Sequence, residues 1–293
     1  MPSLTIVTVT YNLIEAGRTR TLCEALASVQ KQSFTDVEHI IVDGASKDGT
    51  VDLIEGLIAE SANCAIPMRF ISEPDQNLYD AMNKGVAMAD GQYVLFLNSD
   101  DYLASGDSLA HLVPAMQSGV DYIYGRQETL FLNGHKALWK RMSPMNFLSR
   151  MPFGYGSLVF RKSKFLQLGG HDIGFNICAD YDLVMRLLMS GSRGASTEGA
   201  ICTFREGGVS ADIVKTSKDH IGVWRKNLAP WVDLSKYTDA DMLRWHRTGV
   251  FPYDVLFKLV NGRRVPMVLR RSALKAVFVG TRKWAFKRAK ANS

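Results

Sequence analysis

Tyr93-Val94-Leu95-Phe96-Leu97-Asn98-Ser99-Asp100-Asp101 sets an uninterrupted apolar run directly against two adjacent carboxylates. A short, uniformly apolar run reads as a strand buried on both faces, which requires a sheet covered by helices. Upstream the same grammar repeats. Leu4–Thr10 is β-branched and is bounded by Asn12, and His39–Val42 and Met68–Ile71 read as further strands. Helical stretches fall between them at 21–31, 50–59 and 78–89, the first with Leu22, Leu26 and Val29 on one side. Repeated β–α alternation predicts an α/β fold built on a mostly parallel sheet. Ligands of such sheets bind beyond the carboxyl ends of the strands. Thr10-Tyr11-Asn12, Asp43-Gly44-Ala45-Ser46, Ser72-Glu73-Pro74-Asp75 and Asn98-Ser99-Asp100-Asp101 stand there, and they point to one shared site.

Adjacent carboxylates at the exit of a buried strand repel each other and lose solvation unless a cation joins them. Oxygen-only ligands favour Mg²⁺ or Mn²⁺, and a small protein ligand set leaves room for substrate phosphates. The other reading of these residues is a turn, with Asp101 capping a helix near 105–116. Lys84 is either a counter-charge for a diphosphate or an exposed helical lysine. Two further motifs fail. Ala45 and Lys47 occupy positions where a calcium loop needs oxygen ligands, and Gly154-Tyr155-Gly156 lacks the third glycine of a dinucleotide fingerprint.

The 293 residues are 46% hydrophobic and 22% charged, which excludes a disordered or fibrous chain. No apolar run approaches the ~20 residues of a membrane-spanning helix, and Met1-Pro2-Ser3-Leu4 gives no expectation of a signal peptide. Cys23, Cys64, Cys178 and Cys202 are scattered, so buried thiols in a reducing cytoplasm are expected, with neither disulfides nor a zinc site. The charge is segregated. Residues 255–293 hold eleven Lys or Arg and no acid, leaving 24 basic against 29 acidic side chains in the rest of the chain. With Val268, Leu269, Leu274, Val277, Phe278, Trp284 and Phe286 interleaved, that block reads as an interfacial segment on an anionic leaflet. The bland alternative is a basic terminus packed on the body. Nucleic acid is not expected as a partner, because the body is acidic and no recognition module accompanies the tail.

Several motifs in order carry a resemblance. Thr8–Asn12, Ile40-Ile41-Val42-Asp43-Gly44-Ala45-Ser46-Lys47-Asp48-Gly49-Thr50, Ser72–Gly85, Phe96–Asp101 and Cys178-Ala179-Asp180-Tyr181-Asp182-Leu183 together resemble family 2 glycosyltransferases of the GT-A fold, nearest to the bacterial exopolysaccharide, colanic-acid-type branch. The resemblance covers about residues 4–205. It implies a Rossmann-like sheet, a nucleoside-diphosphate sugar donor and a metal-dependent single displacement that inverts the anomeric centre. Asp43 would accept a hydrogen bond from the nucleobase, Tyr11 would pack on it, and Thr10 and Asn12 would line the donor site. Asp75 would help hold the sugar or its phosphates, Asn98 would lie near the ribose, and Tyr79, Asn83, Lys84 and Ser99 would belong to the donor site. Asp100 would bind Mg²⁺ or Mn²⁺, with Asp101 as its neighbour. Asp180 would be the catalytic base and Asp182 the runner-up; an Asp at that place is also an ordinary first-turn residue of a helix. Asn77 stands where such relatives commonly have Gly, a change that Asn tolerates in a left-handed backbone. Phe153-Gly154-Tyr155-Gly156-Ser157 stands where many such relatives have a His-Gln pair facing the acceptor.

The expected organisation is a catalytic domain over 1–212, with its nucleotide-sugar half at about 1–104 and its acceptor half at about 105–212. A helical C-terminal region follows over 213–293, its basic membrane-associating tail at about 255–293. Strands are expected near 122–125 and 158–160, and a loop at 207–210. Trp224, Trp231 and Trp245 read as core or interfacial residues, and His220 and His246 as solvent-facing helical histidines. Combined with the tail, the resemblance implies a lipid-linked saccharide acceptor and a cytoplasmic enzyme peripheral on the inner face of the membrane. A catalytically silent nucleotide-sugar-binding scaffold is the alternative.

Overall fold

Leu4–Thr10, seven residues all buried, forms β1, an interior strand third from one edge of the sheet. The structure is a computed structural model describing residues 1–139, 143–208 and 212–278. β2 (Val37–Asp43) and β3 (Met68–Ser72) extend the sheet on one side of β1, and β4 (Tyr93–Phe96) pairs on the other, all parallel. The register Thr10↔Asp43↔Ser72 brings three polar strand ends to one rim. Beyond β4 the sheet becomes mixed. β8 (Leu158–Arg161) runs antiparallel between β4 and β6 (Tyr122–Leu130), and β9 (Gly194–Arg205) lies parallel to β6. Short strands β5 (Tyr102–Leu103) and β7 (Lys136–Leu138) add to β9 and β6. Helices α1 (Thr19–Gln30), α2 (Thr50–Glu60) and α3 (Leu78–Met88) connect the parallel strands, followed by the short α4 (Val113–Gln117) and α5 (Lys162–Gln167). One apolar cluster joins Ile6, Leu95, Val159, Ile123 and Ile201 from five strands; a second joins Leu22, Leu26, Ile41 and Ile54.

This sheet unit comprises residues 1–139, 153–176 and 193–208; a second unit comprises 143–152, 177–192 and 212–278. The second unit is helical, with α6 (Ala179–Met189), α7 (Ile213–Leu228), α8 (Asp239–Thr248), α9 (Tyr253–Asn261) and a helix over 267–278. Thr238 and Asp241 close α8 with a reciprocal capping box, and Gly249 ends it at φ 65°, which suits glycine. Among the described residues no helix is long and apolar enough to cross a membrane.

The mixed α/β architecture expected from the sequence is the one observed, but several local expectations are corrected. Asp101 caps no helix: strand β5 follows it, and the expected helix at 105–116 shrinks to a 3₁₀ turn, Ala110–Leu112, and α4. Pro114, at the start of α4, has no N–H to continue a helix from upstream. β9 was not foreseen, because its Gly, Ala, Ser and Thr residues become a strand only by pairing with β6. Cys178 and Cys202 are buried thiols, whereas Cys64 is exposed and Cys23 half-buried. As far as it is described, the basic segment packs part of its apolar residues. Val255, Leu256, Leu259, Val265, Leu269 and Ala273 are buried, while Trp284 and Phe286 lie outside the described residues, as do Val209 and Ser210 of the expected loop.

Candidate active site

Asp43 is fully buried at the end of β2, where it joins three strand ends. Its Oδ1 accepts from the Thr10 hydroxyl (3.0 Å) and the Ser46 hydroxyl (2.6 Å); its Oδ2 accepts from the Ser46 N–H and the Ser72 hydroxyl (2.8 Å each). A carboxylate offers about four acceptor positions, and all four are filled by protein donors. The turns after β1 and β2 each hold a left-handed residue, Asn12 (φ 45°) and Ala45 (φ 59°). Asn12 holds that conformation by donating its N–H to the Ser46 hydroxyl (2.7 Å) and accepting at Oδ1 from the Lys47 N–H (3.1 Å). Thr10 and Asn12 therefore build the rim of the site.

The loops after β1, β2 and β3 meet at Gly44. A Cβ there would collide with the Asp75 carboxylate and come within 3.1 Å of the Tyr11 ring. Tyr11 is 64% exposed, so an open aromatic face stands beside a carboxylate over bare backbone. Burial raises the Asp75 pKa; the charge of Lys84 opposes the rise, and those of Asp80 and Asp43 add to it. Lys84 braces the same loop, with Nζ 2.5 Å from the Pro74 carbonyl, 3.1 Å from Glu73 and 3.8 Å from Asp80. Asn77 proves to be extended (φ −172°), not left-handed. It is the N-cap of α3, its Oδ1 accepting from the Tyr79 and Asp80 N–H groups. Tyr79 is buried, its ring 5.1 Å from His171, and Asn83 clamps His171 through both backbone groups (2.9 and 3.0 Å). In the Phe153–Ser157 segment, Tyr155 hydrogen-bonds His171 and stacks on Phe96 at 5.6 Å.

At the end of β4 the two acids diverge. Asp101 is 2% exposed; its Oδ1 accepts from the Arg205 N–H (2.9 Å), and its pKa is pushed up to about 8 by burial and by the adjacent Asp100 charge. It pins the end of β9 to the acidic turn. The Asp100 carboxylate keeps a fifth of its surface exposed and lies 3.4 Å from the Arg18 guanidinium. Asn98 aims a buried side-chain oxygen that has no hydrogen-bond partner, and Ser99 is buried beside it. Arg205 lies over the Tyr102 ring at 4.9 Å and pairs with Glu24.

In the second unit, Asp180 and Asp182 both lie in the first turn of α6. Asp182 is fully buried and committed: Arg186 donates to it at 2.6 and 2.8 Å, Lys226 at 2.9 Å and Asn227 at 2.7 Å. An ion-paired, solvent-free carboxylate has no lone pair to take a proton from substrate, so the runner-up base is set aside. Asp180 is partly exposed; one oxygen accepts from the Tyr181 N–H (2.7 Å). The N-terminus of α6 is held by Asp219, which accepts from the Ile177 N–H (2.7 Å). His220 does not face solvent: it stacks on Tyr181 (4.2 Å) beside Trp224 (4.6 Å). Trp224 and Trp245 are core residues, as expected.

The profile of glycosyl transferase family 2 matches residues 5–173, more than half of the chain. The chain belongs to glycosyl transferase family 2. A PGL/p-HBAD biosynthesis glycosyltransferase of Mycobacterium bovis is 27% identical over 188 residues, covering 63% of this chain and 69% of that protein. The crystal structure of S. aureus TarS residues 1–349 with UDP-GlcNAc superposes with a TM-score of 0.63 at 17% identity, covering 94% of this chain and 79% of that one. The mannosyltransferase PcManGT of Pyrobaculum calidifontis, in complex with GDP-Man and Mn²⁺, gives 0.61 at 18% identity, covering 100% and 81%. The fold is therefore GT-A, and the chain is a glycosyltransferase.

In this glycosyltransferase four residues with evident roles carried no sequence signal. Arg18 precedes α1 as one of several scattered basic residues, and Arg205, Asp219 and Asn227 reach their partners only through contacts distant in sequence.

Proposed function

We propose that the protein is an inverting, metal-dependent glycosyltransferase of bacterial surface or exopolysaccharide assembly. It moves one sugar from a nucleoside-diphosphate sugar to a lipid-linked saccharide while peripheral on the inner face of the membrane. The observation that carries the donor side is Gly44, where the missing side chain lets Tyr11 and Asp75 converge. Tyr11 packs on the base, Asp75 holds the sugar-phosphate end, and the unpartnered Asn98 oxygen accepts a ribose hydroxyl. Asp43 acts as a positioning residue whose four bonds fix the loop beneath the base. TarS bound to UDP-GlcNAc and PcManGT bound to GDP-Man and Mn²⁺ support this donor class.

Among the described residues no three metal-ligating side chains cluster. The part-exposed Asp100 carboxylate, with Arg18 as its counter-charge at 3.4 Å, would hold one hard ion, Mg²⁺ or Mn²⁺. When bound, such an ion would supply electrostatic stabilisation of the departing diphosphate. Asp101 is a buried neighbour that fixes the turn and holds no ion itself. Asp180 takes the proton of the acceptor hydroxyl, whose oxygen bonds to the anomeric carbon as the bond to the diphosphate oxygen breaks. Lys84 stays on the Glu73–Asp75 loop and stiffens it.

Calorimetric titration with UDP-, GDP- and dTDP-sugars in the presence of Mn²⁺ tests the reading. At least one donor binds, and Asp100→Asn removes the Mn²⁺-dependent part of that binding. Transfer with retained anomeric configuration, or donor binding indifferent to both Mn²⁺ and Asp100→Asn, overturns it.

A further inference from the structure

The helix over 267–278 docks one side on its own unit. Leu269, Ser272, Ala273 and Ala276 are buried, and the Ser272 hydroxyl donates to the Met145 carbonyl (2.8 Å). Opposite that side, Met267 (60% exposed), Arg271, Leu274 (46%) and Phe278 (68%) follow at i, i+4, i+7 and i+11. At 3.6 residues per turn these four fall within roughly 60° of arc, a single stripe about 16 Å long. Arg270 and Lys275 flank it, one on each side. A soluble helix normally turns charge outward and apolar residues inward, so an exposed apolar stripe between cations marks an interaction surface. Lys275 also borders a hollow of about 210 Å³, whose lining includes Met145, Asn146, Ser149, Arg150 and Ser272. On α9, Tyr253 (74%) and Phe257 (53%) form a second exposed apolar step. No acid follows Asp254 in the sequence.

Nucleic acid would satisfy the cations and leave the apolar stripe in water. An anionic leaflet satisfies both, because acyl chains take the apolar residues while Lys and Arg extend to the phosphates. We propose that the 267–278 helix is an anionic-phospholipid site: Met267, Leu274 and Phe278 enter the acyl boundary, and Arg271, Lys275 and Arg150 meet lipid phosphates. This rests on the membrane clause of the function proposed above and narrows the contact from the 255–293 segment to one folded helix and its exposed side.

The test is co-sedimentation of the full chain with phosphatidylcholine vesicles with and without phosphatidylglycerol. Wild type binds the anionic vesicles, and Met267→Ser/Leu274→Ser/Phe278→Ser weakens that binding on the order of 100-fold with the melting temperature kept. Arg271→Gln/Lys275→Gln, which leaves the docked face untouched, weakens it about tenfold or more, on anionic vesicles alone. If both variants bind as wild type while removal of residues 279–293 abolishes binding, this site is wrong and membrane association survives. If wild type binds neither vesicle, the membrane clause falls as well. Self-association without lipid that the triple substitution abolishes would make the stripe a protein interface and overturn the proposal.

Discussion

Asp180→Asn and Asp182→Asn separate chemistry from architecture at two positions of one helical turn. Asp182 has no exposed surface and accepts from Arg186, Lys226 and Asn227. Removing one side of a buried ion pair costs about 3–5 kcal/mol. Arg186 and Lys226 retain 19% and 38% side-chain exposure, so water recovers part of their solvation. That places the loss at the lower end, about 3 kcal/mol. At roughly 2–4 °C per kcal/mol, the melting temperature should drop by roughly 6–12 °C. Turnover per folded molecule should be largely kept. Asp180→Asn should behave oppositely: kcat falls by about 10²–10⁴, the usual worth of a general base. Its melting temperature should move by only about 1–3 °C, as expected for a first-turn acid at a helix N-terminus. Differential scanning calorimetry and steady-state kinetics on matched preparations read both. A stable but inactive Asp182→Asn, or an active Asp180→Asn, would refute the assignment.

Two further outcomes follow from the geometry. Gly44→Ala should weaken nucleotide-sugar binding at least about tenfold by calorimetry, since its methyl group takes the space of the Asp75 carboxylate, while the buried sheet below is untouched. His39 is fully buried, with one ring nitrogen 2.8 Å from the Thr8 hydroxyl, and burial holds its pKa down at about 3. The unfolded chain therefore binds the extra proton between about pH 6.5 and 3. The stability that neutral His39 contributes is present above pH 6.5 and is lost as pH falls, with a slope of about 1.4 kcal/mol per pH unit at most. Urea melts of wild type and His39→Gln at pH 7 and 5 should show a smaller acid-side loss in the variant.

The local signals in the sequence were strong where the chain repeats strand, turn and helix at short range. Runs such as Leu4–Thr10 and Tyr93–Phe96 read as strands buried on both faces and are so, which made them and the helices between them legible, whereas β3, read from a similar run, is only partly buried. So was the shared rim, because strand ends of a parallel sheet all lie on one side. The sequence also marked Asp43, Asp100 and Asp180 as special without distinguishing saturated from open carboxylates. Only tertiary contacts decide that: Ser72, 29 residues on, completes the shell of Asp43; Arg205, 104 residues on, turns Asp101 inward; Asn227, 45 residues on, disqualifies Asp182. The C-terminal helix shows the same division. Its charge could be counted from the sequence, but which residues it buries and which it shows to solvent depends on the surface it docks against. Hydrophobic periodicity is a property of the chain, whereas solvation of a side chain belongs to its neighbours, and those are chosen by the fold.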